Sequence, residues 1–362
     1  MAQPSVYKTI VNFLAFLFDC SIGAIAGLIT RPKGWTYKRH LRYLVVRSIR
    51  RRGLFALVNK RNSISTMDVY GEYMKTHNLD PQIIDLDAGA RGGWIGPSDS
   101  KRVLLYTHGG AYTCGCHPAH VEILAELVTA ARQKGESFSV LFIEYGLAPR
   151  AKYPEQLIQA ATALNYLLDS KDIDPDYIIL GGDSAGANLA IALMSHILHP
   201  HPAVPYIQLP RGKKLAGAFL LSPWVDFSNE APSLKSNYDK DCISETYLRA
   251  SSSLFLGDAP TDNYNTPLRA TSDWWQDLPL RDMCIVAGEY EMLRDNIVAW
   301  VDTVRAHNPH FELYIEPGGI HTTAVVDRAL KLGMASSEER FREWVIERLK
   351  AMSIPKKHPY LT

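Results

Sequence analysis

From about residue 101 onward, short β-rich apolar runs alternate with stretches of helical period, and this alternation restricts the fold more than any other feature. Val103–Tyr106, Phe138–Glu144, Tyr177–Leu180, Leu215–Leu221, Met283–Ala287 and Phe311–Ile315 read as strands. Ala119–Gln133, Pro154–Ser170 and the segment from Ala185 to Leu198 carry helical spacing. Strands joined through helices of this length require right-handed crossovers, so the pattern predicts an α/β fold with a mostly parallel sheet covered on both faces. Residues 230–278 break the rhythm. They are rich in Ser, Asn, Asp and Pro, carry Trp274 and Trp275, and read as an insertion between two strands. With 362 residues, 46% of them hydrophobic, the chain can bury a large core, and length alone suggests about two domains.

One strand end carries chemistry. Gly182-Asp183-Ser184-Ala185-Gly186 fits the pattern G-x-S-x-G, with the run Tyr177–Leu180 before it and an amphipathic helix after it. A five-residue match is weak alone, since a serine in an ordinary glycine turn would also satisfy it; the flanking strand and helix give it weight. In such an elbow the strand turns abruptly into a helix, glycines leave room beside the nucleophile, and the Ser184 hydroxyl is exposed. The helix N-terminus offers N–H groups and partial positive charge to an oxyanion. His108-Gly109-Gly110-Ala111 follows an upstream strand, where further oxyanion donors belong, so Gly109, Gly110 and Ala185 are the expected donors. His108 is expected to fix that loop by hydrogen bonding rather than to act as a base.

A serine nucleophile needs a base, and the base needs an acid to hold its tautomer. In this fold the order along the chain is Ser, then Asp or Glu, then His. Of twelve histidines, His321 follows the last strand and a Pro-Gly-Gly-Ile turn, whereas His307 and His310 precede that strand and His117 and His120 come before the nucleophile. For the acid, placement just after the strand at 283–287 favours Glu291, with Asp295 as the alternative and Glu289 behind both.

The first part of the chain differs in kind. Residues 9–30 are almost entirely apolar, long enough to cross a bilayer, yet they include Asn12 and Asp19 on one helical face near Ala15, Gly23 and Ala26. A carboxylate mid-span costs roughly 3 kcal/mol on insertion. The segment therefore reads either as a helix at a membrane surface or as one packed on protein. No small-residue cleavage site closes it, which argues against a removable signal peptide. From Arg31 to Arg61 follow eleven Lys or Arg and no acidic residue, the composition that anionic lipid attracts. Membrane surface contact through residues 9–61 is thus one expectation, and a helical lid over a catalytic core is the other. A positive flank beside a span would keep the C-terminal part cytosolic, and the expected location is cytoplasmic with the N-terminal helix on the membrane. Overall charge is balanced, 39 basic against 38 acidic residues, giving no pull toward nucleic acid. Five sparse cysteines read as reduced thiols, and Cys114-x-Cys116 as packing rather than a metal or redox pair.

Taken together, the motifs resemble the hormone-sensitive-lipase family of esterases, fungal members included, over about residues 100–350. The resemblance rests on His108–Ala111, Glu144–Pro149 followed by Tyr153-Pro154, Gly182–Ala190, Ser222–Asp226 and Gly288–Asp295. It implies an α/β-hydrolase fold with an eight-stranded sheet and a helical cap. The corresponding division is residues 1–80 and 230–278 for the cap, with 81–229 and 279–362 as the catalytic domain. It implies a triad of Ser184, Glu291 and His321, oxyanion donors at Gly109, Gly110 and Ala185, hydrolysis of an ester of a small or medium hydrophobic molecule through an acyl-enzyme, and no metal or cofactor. Fungal relatives often modify secondary metabolites, which makes such an ester the implied substrate. Tyr112, Trp224 and Tyr238 are the candidate substrate contacts, with Trp274 and Trp275 in the insertion. Three departures stand out: Glu291 where Asp is common, Thr322 and Thr323 where a bulky apolar residue is frequent, and Glu144-Tyr145-Gly146 in place of Asp-Tyr-Arg. Two other functions fit the same motifs. One is acyl transfer or cyclisation by the same triad; the other is non-catalytic binding, as in the plant gibberellin receptors, which resemble this family but lack the histidine that His321 supplies here.

Overall fold

The computed structural model describes residues 6–54 and 64–352. One eight-stranded sheet contains β1 (Gln82–Asp85), β2 (Arg91–Ile95), β3 (Val103–Thr107), β4 (Ser139–Glu144), β5 (Ile178–Asp183), β6 (Gly217–Leu221), β7 (Met283–Gly288) and β8 (Glu312–Glu316). Their spatial order is β1-β2-β4-β3-β5-β6-β7-β8, and β2 alone runs against its neighbours. The described helices are α1 (Val6–Thr30), α2 (Tyr37–Arg51), α3 (Thr66–Thr76), α4 (Pro118–Gln133), α5 (Glu155–Asn165), α6 (Ala185–Leu198), α7 (Pro232–Ser236), α8 (Glu245–Leu256), α9 (Arg294–Arg305), α10 (Thr323–Ala329) and α11 (Ser336–Ala351). Residues of α5, α6 and α9 build the core on one face of the sheet, and residues of α3, α4 and α11 build it on the other.

β3 to β8 are the six strands that apolar runs foretell. β1 and β2 escape that reading for a physical reason. Arg91-Gly92-Gly93-Trp94-Ile95 has no β-branched run, because a Cβ at Gly93 would meet the Tyr70 ring at 3.0 Å and one at Gly92 would meet Leu141 at 2.7 Å. Packing against α3 and β4, rather than intrinsic propensity, makes this strand. The helix after Ser184, expected to be amphipathic, is buried all round from Ala185 to His196. Its Asn188 side chain donates to the Trp224 and Asn265 carbonyls at 2.7 and 3.0 Å, tying helix to insertion.

α1 and α2 lie side by side. Asp19 accepts two hydrogen bonds from the Arg52 guanidinium at 2.7 and 2.8 Å, and Gly23 and Gly27 give room to Leu44 and His40. The expected narrow polar strip on α1 is therefore the face that meets α2, although Ala26 falls outside it and Gly27 takes its place. The rest of α1 is bare: Phe18 and Ile29 are 64% and 88% exposed. The last basic residues of the 31–61 stretch, Lys60 and Arg61, lie outside the described residues. α2 in turn is fastened to the catalytic body, with Arg39 and the Tyr43 hydroxyl both donating to the buried Asp327 carboxylate of α10, and the Trp35 indole donating to the Gly318 carbonyl at 2.6 Å.

At the crossing of β5 into α6 the backbone comes closest to its neighbours. A Cβ at Gly186 would lie 2.0 Å from the Thr107 carbonyl oxygen and 2.5 Å from that of His108. These are backbone atoms of β3 and the loop after it, so they have nowhere to move. Gly186→Ala is expected to lower stability by about 3 kcal/mol, read as an earlier midpoint in chemical denaturation.

Candidate active site

Ser184 sits at the elbow with φ +53° and ψ −118°, a conformation that costs a non-glycine residue energy and is held here by packing on both sides. Its amide donates to the Leu221 carbonyl at 2.9 Å, and its carbonyl accepts from Trp224 N at 3.2 Å. The Ser184 hydroxyl lies 2.8 Å from His321 Nε2, and His321 Nδ1 lies 2.7 Å from Glu291 Oε1. The three residues expected to meet do so in an unbroken hydrogen-bonded chain. The longer acid is accommodated because its other oxygen, Oε2, accepts from the Ser222 hydroxyl and from Gly288 N–H, both at 2.8 Å. Ser222 Oγ also accepts from Thr322 N at 3.0 Å, so one hydroxyl joins the acid loop to the loop of the base. Asp295, the alternative acid, is turned toward Arg294 at the start of α9, and Glu289 accepts from Gly318 N at 2.7 Å; neither reaches His321.

A residue that sequence reasoning missed lies beside this chain. Asp241 is fully buried, its Oδ1 accepting from His321 N at 3.0 Å and Cys242 N at 2.6 Å, and its Oδ2 from Met292 N at 2.6 Å. One carboxylate thus clamps the cap insertion to the residues carrying both acid and base. No motif marks it; it stands in a polar stretch of the insertion that looks like any loop. Burial alone would lower the His321 pKa, but the Glu291 carboxylate, with Asp241 adding to it, outweighs burial and raises it above the ordinary imidazole value.

The oxyanion loop requires a correction. Gly109 N–H donates to Asp183 Oδ1 at 2.9 Å and is therefore committed to the scaffold, not to a substrate. Asp183, the variable residue of the elbow motif, also accepts from the Tyr106 hydroxyl at 3.0 Å and faces His120 Nε2 at 3.2 Å. Burial disfavours its ionised form, but His120 and the Gly109 N–H prevail and hold its carboxyl below the usual range. Gly110 (φ +121°) and Ala111 (φ +52°) continue the loop along the cavity wall beside Ser184, and Ala185 opens α6. His108 fixes the loop, as expected: its ring meets the Thr66 hydroxyl at 2.9 Å, and burial pushes its pKa down to about 4, leaving it neutral.

Above Ser184 is a cavity of about 400 Å³. Val46 and Arg50 of α2, Ile243, Tyr247 and Leu248 of the insertion, and Val325 of α10 are among its walls, with Thr322 beside the base. The candidate substrate contacts lie elsewhere. Tyr112 is buried, stacked on Phe255 at 3.8 Å and donating to Asn188 at 2.6 Å; it props the oxyanion loop from behind. Trp224 is fully buried under the elbow, and Trp275 is fully buried as well. Trp274 stacks on His199 at 3.8 Å. Tyr238 lines a different cavity, between α1 and α2. Which cap residues face the nucleophile depends on how α2 and α8 pack, and local sequence does not encode it. Of the other departures, Thr323 is turned into its own loop against Ile320, and Glu144 accepts from Arg91 and from Met67 N, pinning the start of α3 to the sheet.

Residues 104–325 match the α/β hydrolase fold family. The chain belongs to the α/β-hydrolases, and its resemblance to the hormone-sensitive-lipase group is borne out. It is 28% identical over 233 residues to an esterase of Acinetobacter venetianus, covering 63% of this chain and 70% of that one. It is 29% identical over 154 residues to an acetyl-hydrolase of Streptomyces hygroscopicus, where it spans 42% of its own length and only 46% of its relative's. A crystal structure of a bacterial esterase of the hormone-sensitive lipase family superposes with a TM-score of 0.62 at 22% identity, covering 97% of this chain and 99% of that one, a likeness of fold.

The geometry of the base makes a direct prediction. In an NMR titration the His321 imidazole should titrate above 6.5, the ordinary value, and Glu291→Gln should bring it down by removing the charge that favours the protonated ring.

Proposed function

We propose that this protein is a serine ester hydrolase acting on carboxylic esters with a small or medium apolar group. The observation that carries the reading is the continuous Ser184–His321–Glu291 chain on the floor of a largely apolar cavity. His321 Nε2 takes the Ser184 proton as Oγ attacks the ester carbonyl, and Glu291 holds the ring in the required tautomer and stabilises the imidazolium that forms. The negative charge on the carbonyl oxygen is met by the N–H groups of Gly110, Ala111 and Ala185, Ala111 replacing Gly109 in that role; each such donor is worth roughly 3 kcal/mol. The imidazolium then protonates the departing alcohol. Water, activated by the same ring, releases the acid from Ser184. The placed base counts against a purely binding role, for which no such alignment is needed.

The exposed apolar side of α1 and the arginines of α2 support a second element of the proposal. α1 rests in the surface of a membrane, its polar strip turned inward against α2, and the basic residues of α2 add attraction to anionic headgroups.

A fluorophosphonate probe should label the wild-type protein at Ser184, and hydrolysis of p-nitrophenyl butyrate should fall by about 10⁴-fold or more in Ser184→Ala. Labelling without turnover would instead favour acyl transfer or cyclisation, and absence of labelling would sink the hydrolase assignment. Because the base must be neutral, kcat/KM should decline as pH falls through the raised His321 value; Asp241→Asn should move that limb to lower pH, a shift that loss of packing alone would not produce.

A further inference from the structure

The second cavity, about 390 Å³, lies between α1 and α2 and is lined by Arg47, Ser48 and Arg51 of α2, by Arg52 just past its end, by Asp19, Phe18 and Ile22 of α1, and by Tyr238 of the insertion. Three guanidiniums share this space with one lining carboxylate, which Arg52 already holds with both its oxygens. Arg47 is only 8% exposed and, among the described residues, makes one long contact, 3.4 Å to the Lys240 carbonyl. Arg51 lies over the Tyr238 ring at 3.8 Å, and its buried Nε and Nη2 have no hydrogen-bond partner among the described residues. The nearby acids do not balance this charge: Asp239 is exposed beside Lys240, and Asp241 is committed to three backbone N–H groups. Burial, and then the neighbouring Arg51, pull the Arg47 pKa down to about 10. Removing cations from water costs heavily unless an anion pairs with them, and among the described residues Arg47 and Arg51 have no carboxylate within ion-pair distance.

Phe18 and Ile22 belong to the same walls, and they are on the exposed apolar side of α1. An occupant that satisfies both features carries a compact anion and an apolar chain leaving along α1. We infer that the groove between α1 and α2 binds the phosphate of an anionic membrane lipid, with Arg47 and Arg51 as its counter-ions. The inference rests on the membrane contact of α1 proposed above. Arg fits this task because its planar donors match phosphate oxygens. Arg50, one step away on α2, faces the catalytic cavity instead, so this helix is a wall common to both cavities.

Co-sedimentation of the full-length protein with phosphatidylcholine vesicles, with and without about one-fifth phosphatidic acid, tests the site. The wild type should prefer the anionic vesicles. Arg51→Gln should cut binding to them about fivefold, and the Arg47→Gln/Arg51→Gln pair about twentyfold or more. Exposed Lys38, changed to Gln, should leave it within about twofold. Turnover of a soluble short ester shows that each variant is folded. Equal losses in Lys38→Gln and Arg51→Gln would overturn the site in favour of diffuse attraction. A rise in melting temperature with inorganic phosphate but no preference for anionic vesicles would overturn the lipid assignment in favour of a soluble phosphate ligand. Binding to uncharged vesicles reads the α1 contact by itself, so its absence would mark failure of the membrane reading rather than of the arginine pair.

Discussion

Backbone contact between Gly186 and the Thr107–His108 peptide is the reference point from which the catalytic geometry is laid out. It presses the start of α6 against the end of β3, so the nucleophile and the oxyanion loop are positioned by main chain rather than by adaptable side chains. Thr107 reinforces the contact by donating its hydroxyl to the Gly186 carbonyl at 2.8 Å. Asp183 adds a charge-assisted link from the elbow to Gly109 and His120.

On the other side of the nucleophile, two side-chain clamps do for the acid and base what backbone does for the serine. Ser222 holds Glu291 and the Thr322 amide together, and Asp241 holds Met292 and His321. Asp241 comes from the 230–278 insertion, which it ties to the loops carrying Met292 and His321. The substitution of Glu for Asp at the acid position is absorbed by this arrangement: the carboxylate has a defined partner for each oxygen.

Much of this was legible in the sequence, and what was not has a common cause. β3 to β8, the elbow and the order Ser184, Glu291, His321 are written in local patterns, where periodicity, turn glycines and position after a strand each point the same way. Gly109 was misassigned because the direction of its N–H is settled by Asp183, a residue distant in sequence that happens to lie beneath the loop. β1 and β2 are strands by virtue of their neighbours. Tyr112, Trp224 and Tyr238 look like pocket residues by type, yet two are scaffold and one faces another cavity, because the choice is made by tertiary packing of α2 and α8. Asp241 was invisible for the same reason: a buried carboxylate with backbone partners has no signature in composition.

The position of α2 has a kinetic consequence. One side of this helix closes the catalytic cavity, and the other is turned toward α1 and its bare apolar surface. If α1 rests on a membrane as proposed, an ester dissolved in that membrane reaches the site within a two-dimensional film, and the velocity follows its mole fraction in the lipid rather than molarity in the surrounding water. Diluting the film with inert lipid then slows turnover even when the total amount of ester is unchanged.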